Sequence, residues 1–450
     1  MKNILKKILS LGICSAMVLG AFSGCGQQPG GTSFTGGPSS DNSGSVQFPE
    51  SSVPSESPGL ADNSEASEST ASDRTETLFT DASGYTDFAV RLLQESLESE
   101  KNTLISPLSV INALAMTANG ARGETLAQME SLLGGDISSL NEYLHDYNAS
   151  LPSGEKYCLH SANSVWIRDR EDFTVEESFL QNSTDLFGAE IYRAVFDDST
   201  LQDINQWVAR STDEMIPEIL REISPNAVMY LINALAFDAE WQSPYTSYQV
   251  RDAVFHMEDG SEKDMKLMHS EETILLQDIA EQNRAGAIGF LKYYAGEKYA
   301  FAALLPDEGV SIRDYVQSLT GERLRRILEN ASEANIDAAL PKFEAEYSVK
   351  LNDILKSLGM TDAFDPDTAD FSGISSCPGD NLYISQVLHK TYIAVDEQGT
   401  KAGAATAIGI SERTVLRQEI VRITLDRPFV YMIIDCEENL PVFIGTVLEP

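Results

Sequence analysis

Asp396-Glu397-Gln398-Gly399-Thr400-Lys401-Ala402-Gly403-Ala404-Ala405-Thr406-Ala407-Ile408-Gly409-Ile410 is the stretch on which the reading of this chain turns. It carries almost nothing large enough to anchor in a core. It shows no strong turn signal and meets no proline before Pro428. Yet it alternates: Thr400, Ala402, Ala404, Thr406, Ile408 and Ile410 share one face, and Lys401, Gly403, Ala405, Ala407, Gly409 and Ser411 the other. Left in water, such a segment exposes little apolar area. Inside a sheet, its small side chains fit between neighbours and nothing blocks the ladder. The pattern alone also fits an ordinary buried strand or an Ala-rich helix. The flanks favour a strand held outside its sheet.

The surrounding chain has 450 residues, 42% of them hydrophobic and 22% charged, as in a soluble globular protein. Its formal charge of −37 argues against nucleic-acid partners and against heparin-like polyanions. No apolar span beyond the N-terminus is long enough to cross a membrane. The cysteines are Cys14, Cys25, Cys158, Cys377 and Cys436, without the paired spacing of a zinc site, so neither a metal nor a cofactor is expected. Beyond Cys14 and Cys25 three remain, an odd number. Free thiols are the expectation, with one bridge among Cys158, Cys377 and Cys436 left open.

Three regions divide the chain. Residues 1–24 read as an export signal: Lys2, Lys6 and Lys7, then an apolar run from Ile8 to Phe22, then Ser23-Gly24 ahead of Cys25. Residues 25–80 are rich in Gly, Ser, Pro, Thr, Asp and Glu, hold one basic residue, Arg74, and read as a disordered acidic linker that holds a folded head at a distance. Residues 81–450 form that head. In it, Phe88, Leu92, Leu93 and Leu97 mark a helix through Lys101. Ser106-Pro107 starts a helix, apolar nearly all round, that Gly120 ends. A second start at Thr125 ends at Gly134-Gly135. Strands are expected over 161–167, 228–237, 429–434 and 442–447, and a hairpin over 287–305 around Gly296. A helix opens at Ile204, and Leu340 to Tyr347 alternates cleanly before a helix from Asn352 to Leu358. Strands and helices without a regular βαβ beat indicate an α+β protein.

These blocks resemble serpins. Asn102 to Met129 is similar to the family's opening block, and matches continue at Ala162 to Trp166, Ile204 to Val208, Leu231 to Trp241, Leu304 to Asp307, Leu340 to Phe343, Leu358 to Phe364, and Arg427 to Val430 with Phe443-Ile444-Gly445. They run in order through nearly the whole of residues 81–450. Cys25 after small residues likewise looks like a bacterial lipobox, which implies a lipid on Cys25. Phe22 departs from the usual Leu there, and plain secretion is the alternative.

The resemblance implies a serpin fold of three β-sheets, eight or nine helices and an exposed reactive-centre loop. It also implies a monomer that traps serine proteases in a covalent 1:1 complex. The hinge of inhibitory members reads Glu, a variable residue, Gly, Thr or Ser, a variable residue, then small residues. Glu397, Gly399, Thr400, Ala402, Ala404, Ala405 and Thr406 fit it, with Gly403 in place of the usual Ala. Counting the usual hinge length makes Arg413-Thr414 the scissile bond and a trypsin-like enzyme the target; Arg417, or Ile408 or Ile410 with an elastase-like enzyme, stay open. Ser106, Ser109, Asn233 and His389 match the polar cluster where the large sheet opens. Lys342 and Glu397 match a pair at the top of that sheet, near Trp241.

Other readings are weaker. A Ser–His–Asp hydrolase would have to work with five histidines and no Gly-x-Ser-x-Gly elbow. Asp365 to Asp370 lacks the glycine and terminal glutamate of a calcium loop and reads as an acidic turn. Residues 136–150 hold no Lys or Arg, so activation by heparin is not expected. A non-inhibitory serpin-fold binding protein and a lipid-anchored solute receptor complete the alternatives. The expected setting is extracellular, either lipid-anchored at the cell surface or secreted, with no membrane contact besides the lipid.

Overall fold

A computed structural model describes residues 13–22, 83–98, 100–152, 154, 156–280, 284–375, 382–400 and 419–450. The expected linker, Cys25, Cys377 and the loop from Lys401 to Gln418 lie outside them.

Helix formation follows the capping chemistry. The strand β2 (Thr103–Ile105) runs into α2 (Pro107–Ala118), whose N-cap Ser106 accepts from the Ser109 amide at 3.2 Å, with Pro107 at the first helical position. All twelve residues of α2 are buried, as an all-round apolar helix requires. Around it lie α1 (Ser83–Ser96), α3 (Gly123–Leu133), α4 (Ile137–Ala149) and α5 (Glu177–Phe187). Further helices are α6 (Asp198–Ser211), α7 (Ile312–Ser318), α8 (Gly321–Glu329) and α9 (Asn352–Ser357). The first helix ends at Ser96 rather than Lys101. The sixth begins six residues before Ile204, because the Asp197 carboxylate caps the amides of Ser199 and Thr200 at 2.9 and 3.2 Å.

One large sheet has seven strands. Its spine runs β11 (Phe343–Lys350), β12 (Ile384–Val395), β1 (Ile13–Phe22), β5 (Met229–Glu240), β3 (Tyr157–Arg168), β4 (Glu190–Ala194), and the two-residue β13 (Gly399–Thr400) pairs with β5. A second, nine-stranded ladder runs β14 (Ile420–Thr424), β10 (Ser332–Pro341), β7 (Glu262–Asp278), β8 (Ala287–Tyr293), β9 (Tyr299–Pro306), β15 (Phe429–Asp435), β16 (Leu440–Val447), β2, with β6 (Val250–His256) beside β7. The 17-residue β7 explains how this ladder makes two of the three sheets. Its first half pairs with β6, its middle with β10 and its end with β8. Nine α-helices occur among the described residues, and the whole is the α+β fold that the resemblance implies.

Two features depart from the sequence reading. Leu340 to Tyr347 is not one strand. Pro341 ends β10 in one ladder and Phe343 begins β11 in the other, with Lys342 at the crossing. Residues 13–22, expected only as part of an export signal, form a strand in the middle of the large sheet, antiparallel to both β12 and β5. Local sequence does not reveal this, because an uncharged apolar run suits a signal and a central strand equally well.

Candidate functional site

The upper end of the large sheet is built by β5, the start of the loop and the β8–β9 hairpin. After β12 the chain reverses sharply. The Asp396 carboxylate accepts from the amides of Gln398 and Gly399 at 2.8 and 3.3 Å, and the Asp396 amide donates to the Gly399 carbonyl at 3.1 Å. The turn signal was therefore present in Asp396, where the sequence reading found none. Gly399 and Thr400 then pair with Glu240 and Ala239 of β5. A Cβ on Gly399 would stand 2.1 Å from the Ala239 carbonyl oxygen, so only glycine allows this approach. Thr400, the first residue of the expected outlying strand, thus lies inside the sheet with Gly399 before it; Ala402, Ala404, Ala405, Thr406, Arg413 and Thr414 lie outside the described residues.

Trp241 is the anchor of that corner. Its amide donates to the Gln398 carbonyl and its indole Nε1 to the Asp396 carbonyl, both at 2.8 Å, while the Tyr245 amide donates to Glu397 at 2.8 Å. Its ring stacks on Tyr294 at 4.4 Å, and the Tyr294 hydroxyl lies 2.6 Å from Thr400 Oγ1. Beneath them Lys292 is 2% exposed, yet its ammonium is matched: Glu272 at 2.9 Å, the Tyr245 ring at 4.4 Å and the Trp241 ring at 5.4 Å. The sequence reading missed Lys292, Tyr294 and Glu272. The signal was a lysine inside the otherwise apolar strand from Ala287 to Tyr294.

Lys342 and Glu397 meet at 2.7 Å, as expected. Partial burial would raise the Glu397 pKa, but the hydrogen bond and the charge of Lys342 outweigh it and hold the carboxyl below its usual range. Both side chains reach solvent, 44% and 31% exposed, so the pair contributes little to stability.

The second group lies midway down the sheet, where the N-terminal end of α2 meets it. Ser106, Ser109, Asn233 and His389 are all fully buried and connected. The Ser106 amide donates to His389 Nε2 at 3.2 Å and its hydroxyl to the Val442 carbonyl at 2.9 Å. The Ser109 hydroxyl donates to Asn233 Oδ1 at 2.5 Å. Asn233 Nδ2 donates onward to Asn163 Oδ1 at 3.0 Å and Ser161 Oγ at 3.2 Å. Ser161 and Asn163 were read only as strand residues, although both are polar positions in a central strand. Burial depresses the His389 pKa to about 3, so its ring is neutral and Nε2 can accept from the Ser106 amide. The network ties β5 and β12 to one helix end, and residue 17 of β1 stands between them, opposite both Asn233 and His389. Any change in the spacing of β5 and β12 must rearrange these bonds.

The described residues contain no cluster of three or more metal-ligating side chains, and no described helix is long and apolar enough to cross a membrane. Cys436 is a free thiol.

Comparison with known proteins bears on the same architecture. The family model described as Serpin (serine protease inhibitor) matches residues 83–450. The chain is a serpin. It is 30% identical over 371 residues to an uncharacterized serpin-like protein of Thermococcus kodakarensis, covering 81% of this chain and 84% of that protein. It is also 30% identical over 380 residues to the leukocyte elastase inhibitor of Equus caballus, covering 81% and 98%. Among solved structures, the thermophilic serpin tengpin in its native state is similar at a TM-score of 0.76 and 46% identity, covering 84% of this chain and 96% of that one. Serpins are generally protease inhibitors and not enzymes.

Proposed function

We propose that this serpin is an irreversible suicide-substrate inhibitor of serine proteases, with Arg413-Thr414 as the bond cut and a trypsin-like enzyme as the target. The protease serine attacks the Arg413 carbonyl, Thr414 leaves as the new amino terminus, and the acyl-enzyme ester forms at Arg413. The loop from Thr400 to about Ser411 then enters the large sheet as a strand, carrying the tethered protease with it before water can release it. The driving force is strand pairing that becomes available only after the cut.

One observation carries this reading: Gly399 and Thr400 already pair with β5, so the loop enters the sheet from its first residues, and once residues 13–22 no longer pair with β5 insertion has only to continue along that strand. The buried network of Ser106, Ser109, Asn233 and His389 is proposed as the gate that rearranges as a strand enters. Lys342 and Glu397, beside Trp241, are proposed to hold the hinge in the uncut form. Residues 1–24 are proposed to be a removable export signal and Cys25 a lipid-anchor site, with the acidic segment 25–80 as a spacer between membrane and head.

The test is incubation with a panel of serine proteases, read on a denaturing gel and by mass spectrometry of the released C-terminal peptide. A stable 1:1 complex and a peptide comprising residues 414–450 are expected. Cleavage without complex would make the chain a non-inhibitory serpin. A peptide starting elsewhere would move the scissile bond, to Arg417 or to Ile410 with an elastase-like enzyme.

A further inference from the structure

The N-terminal segment occupies the strand position that the inhibitory mechanism needs. Thr400 of β13 faces Ala239 of β5, so the same antiparallel register sets position 402 opposite Phe237. Opposite Phe237 the structure has Ile13. Residue n of the N-terminal strand therefore stands where loop residue n + 389 would stand, since 402 − 13 = 389, and Ile13–Phe22 covers the track of loop positions 402–411. Its direction matches as well: β1 and β13 both run antiparallel to β5. Its other edge pairs with β12 from Cys14 opposite Tyr392 to Phe22 opposite Ile384, so residues 14–19 are paired on both sides. The segment carries no charged residue, which suits the buried centre of a sheet.

We infer that the apolar N-terminal strand is a built-in competitor of the reactive loop: while residues 13–22 are attached and paired, the loop cannot insert, and the unprocessed chain is a substrate rather than an inhibitor. Removal of residues 1–24 empties the slot and arms the molecule. Inhibition is thereby confined to the processed protein. The inference rests on the proposed insertion mechanism for its consequence, but the occupancy itself can be read separately.

The experiment compares the full chain, the full chain carrying Ala16→Pro and Val18→Pro, and the chain lacking residues 1–24. Proline removes amide donors from a strand bonded on both edges, so the double variant should leave the sheet without altering the head. Each protein is incubated with trypsin and separately melted, with and without a synthetic peptide of residues 13–22 or a scrambled version. The full chain is expected to be cleaved with at least tenfold less covalent complex than the other two, and to melt ~5 °C or more above them. The peptide, and not its scrambled version, should raise the melting temperature of the shortened chain and turn it into a substrate. Equal trapping by full and shortened chains would overturn the inference, as would equal melting without a peptide effect. If none of the three proteins traps trypsin or another serine protease, the proposed function fails, while the melting shift and the peptide effect still decide the occupancy.

Discussion

Thr400 is the residue at which entry of the loop can be stopped with one substitution. It is fully buried, its hydroxyl lies 2.6 Å from that of Tyr294, and Tyr294 is itself buried against Trp241. Replacing Thr400→Arg sends a guanidinium toward that aromatic corner, where Glu272 already pairs with Lys292. An unpaired buried charge costs several kcal/mol even after relaxation, so residue 400, in the sheet before the cut, leaves it in the variant; taking ~4 kcal/mol for its re-entry, and ~1.4 kcal/mol for each tenfold change in rate, insertion slows by roughly 10²- to 10³-fold. Deacylation by water does not involve Thr400 and should keep its rate. The competition between the two therefore shifts from trapping to turnover. The assay titrates a trypsin-like protease with the processed chain and its Thr400→Arg variant, counting inhibitor molecules consumed per enzyme inactivated and identifying the cut by mass. The variant should be cut at the same bond at a similar rate, with tens to hundreds of molecules consumed for each enzyme lost. Wild-type stoichiometry in the variant would refute the claim that the hinge enters the sheet at this position.

Other predictions concern the gate and the rim. His389 has a folded pKa near 3, against about 6.5 when unfolded, so the unfolded chain binds the extra proton as pH falls between these values. Its contribution is intact above about pH 6.5 and is lost on acidification at up to ~1.4 kcal/mol per pH unit. Chemical denaturation at pH 7 and pH 5 should show a drop that His389→Gln reduces; an unchanged pH slope in the variant would exclude His389 as its source. Lys342→Ala removes a pair that is 44% and 31% exposed and should cost ~1 kcal/mol or less, with the loss shrinking in high salt. A much larger loss in denaturant titrations would mean that the pair acts as a structural lock.

Legibility in the sequence followed the locality of the physics. The start of α2 was readable because Ser106 and Pro107 carry their capping role within four residues. The hairpin around Gly296 was readable because that residue has φ +83°, where glycine is favoured. The polar cluster was found through the family resemblance, and its extension to Ser161 and Asn163 was not, since those bonds cross between strands far apart in sequence. The long β7 gave little signal: it borders three different strands in turn and its buried residues do not alternate regularly. The buried Arg323 of α8 was equally opaque, because its partner Asp278 lies 45 residues away at the end of β7, 2.7 Å from the guanidinium. Residues 13–22 are the extreme case, since only β5 and β12 together make that run a strand.

The central claim is that the uncut head lacks strand pairing which cleavage makes available. Inserting about ten residues at roughly 1 kcal/mol of net hydrogen bonding each gives ~10 kcal/mol as an upper figure. For a head of about 370 residues with an unfolding entropy of ~2.1 cal/mol/K per residue, that corresponds to a rise of ~13 °C. The measurement is the melting temperature of the chain lacking residues 1–24, before and after a single cut in the loop by a protease that it does not trap. A rise of about 10 °C is the expected result. Identical melting of the intact and cut forms would contradict the account.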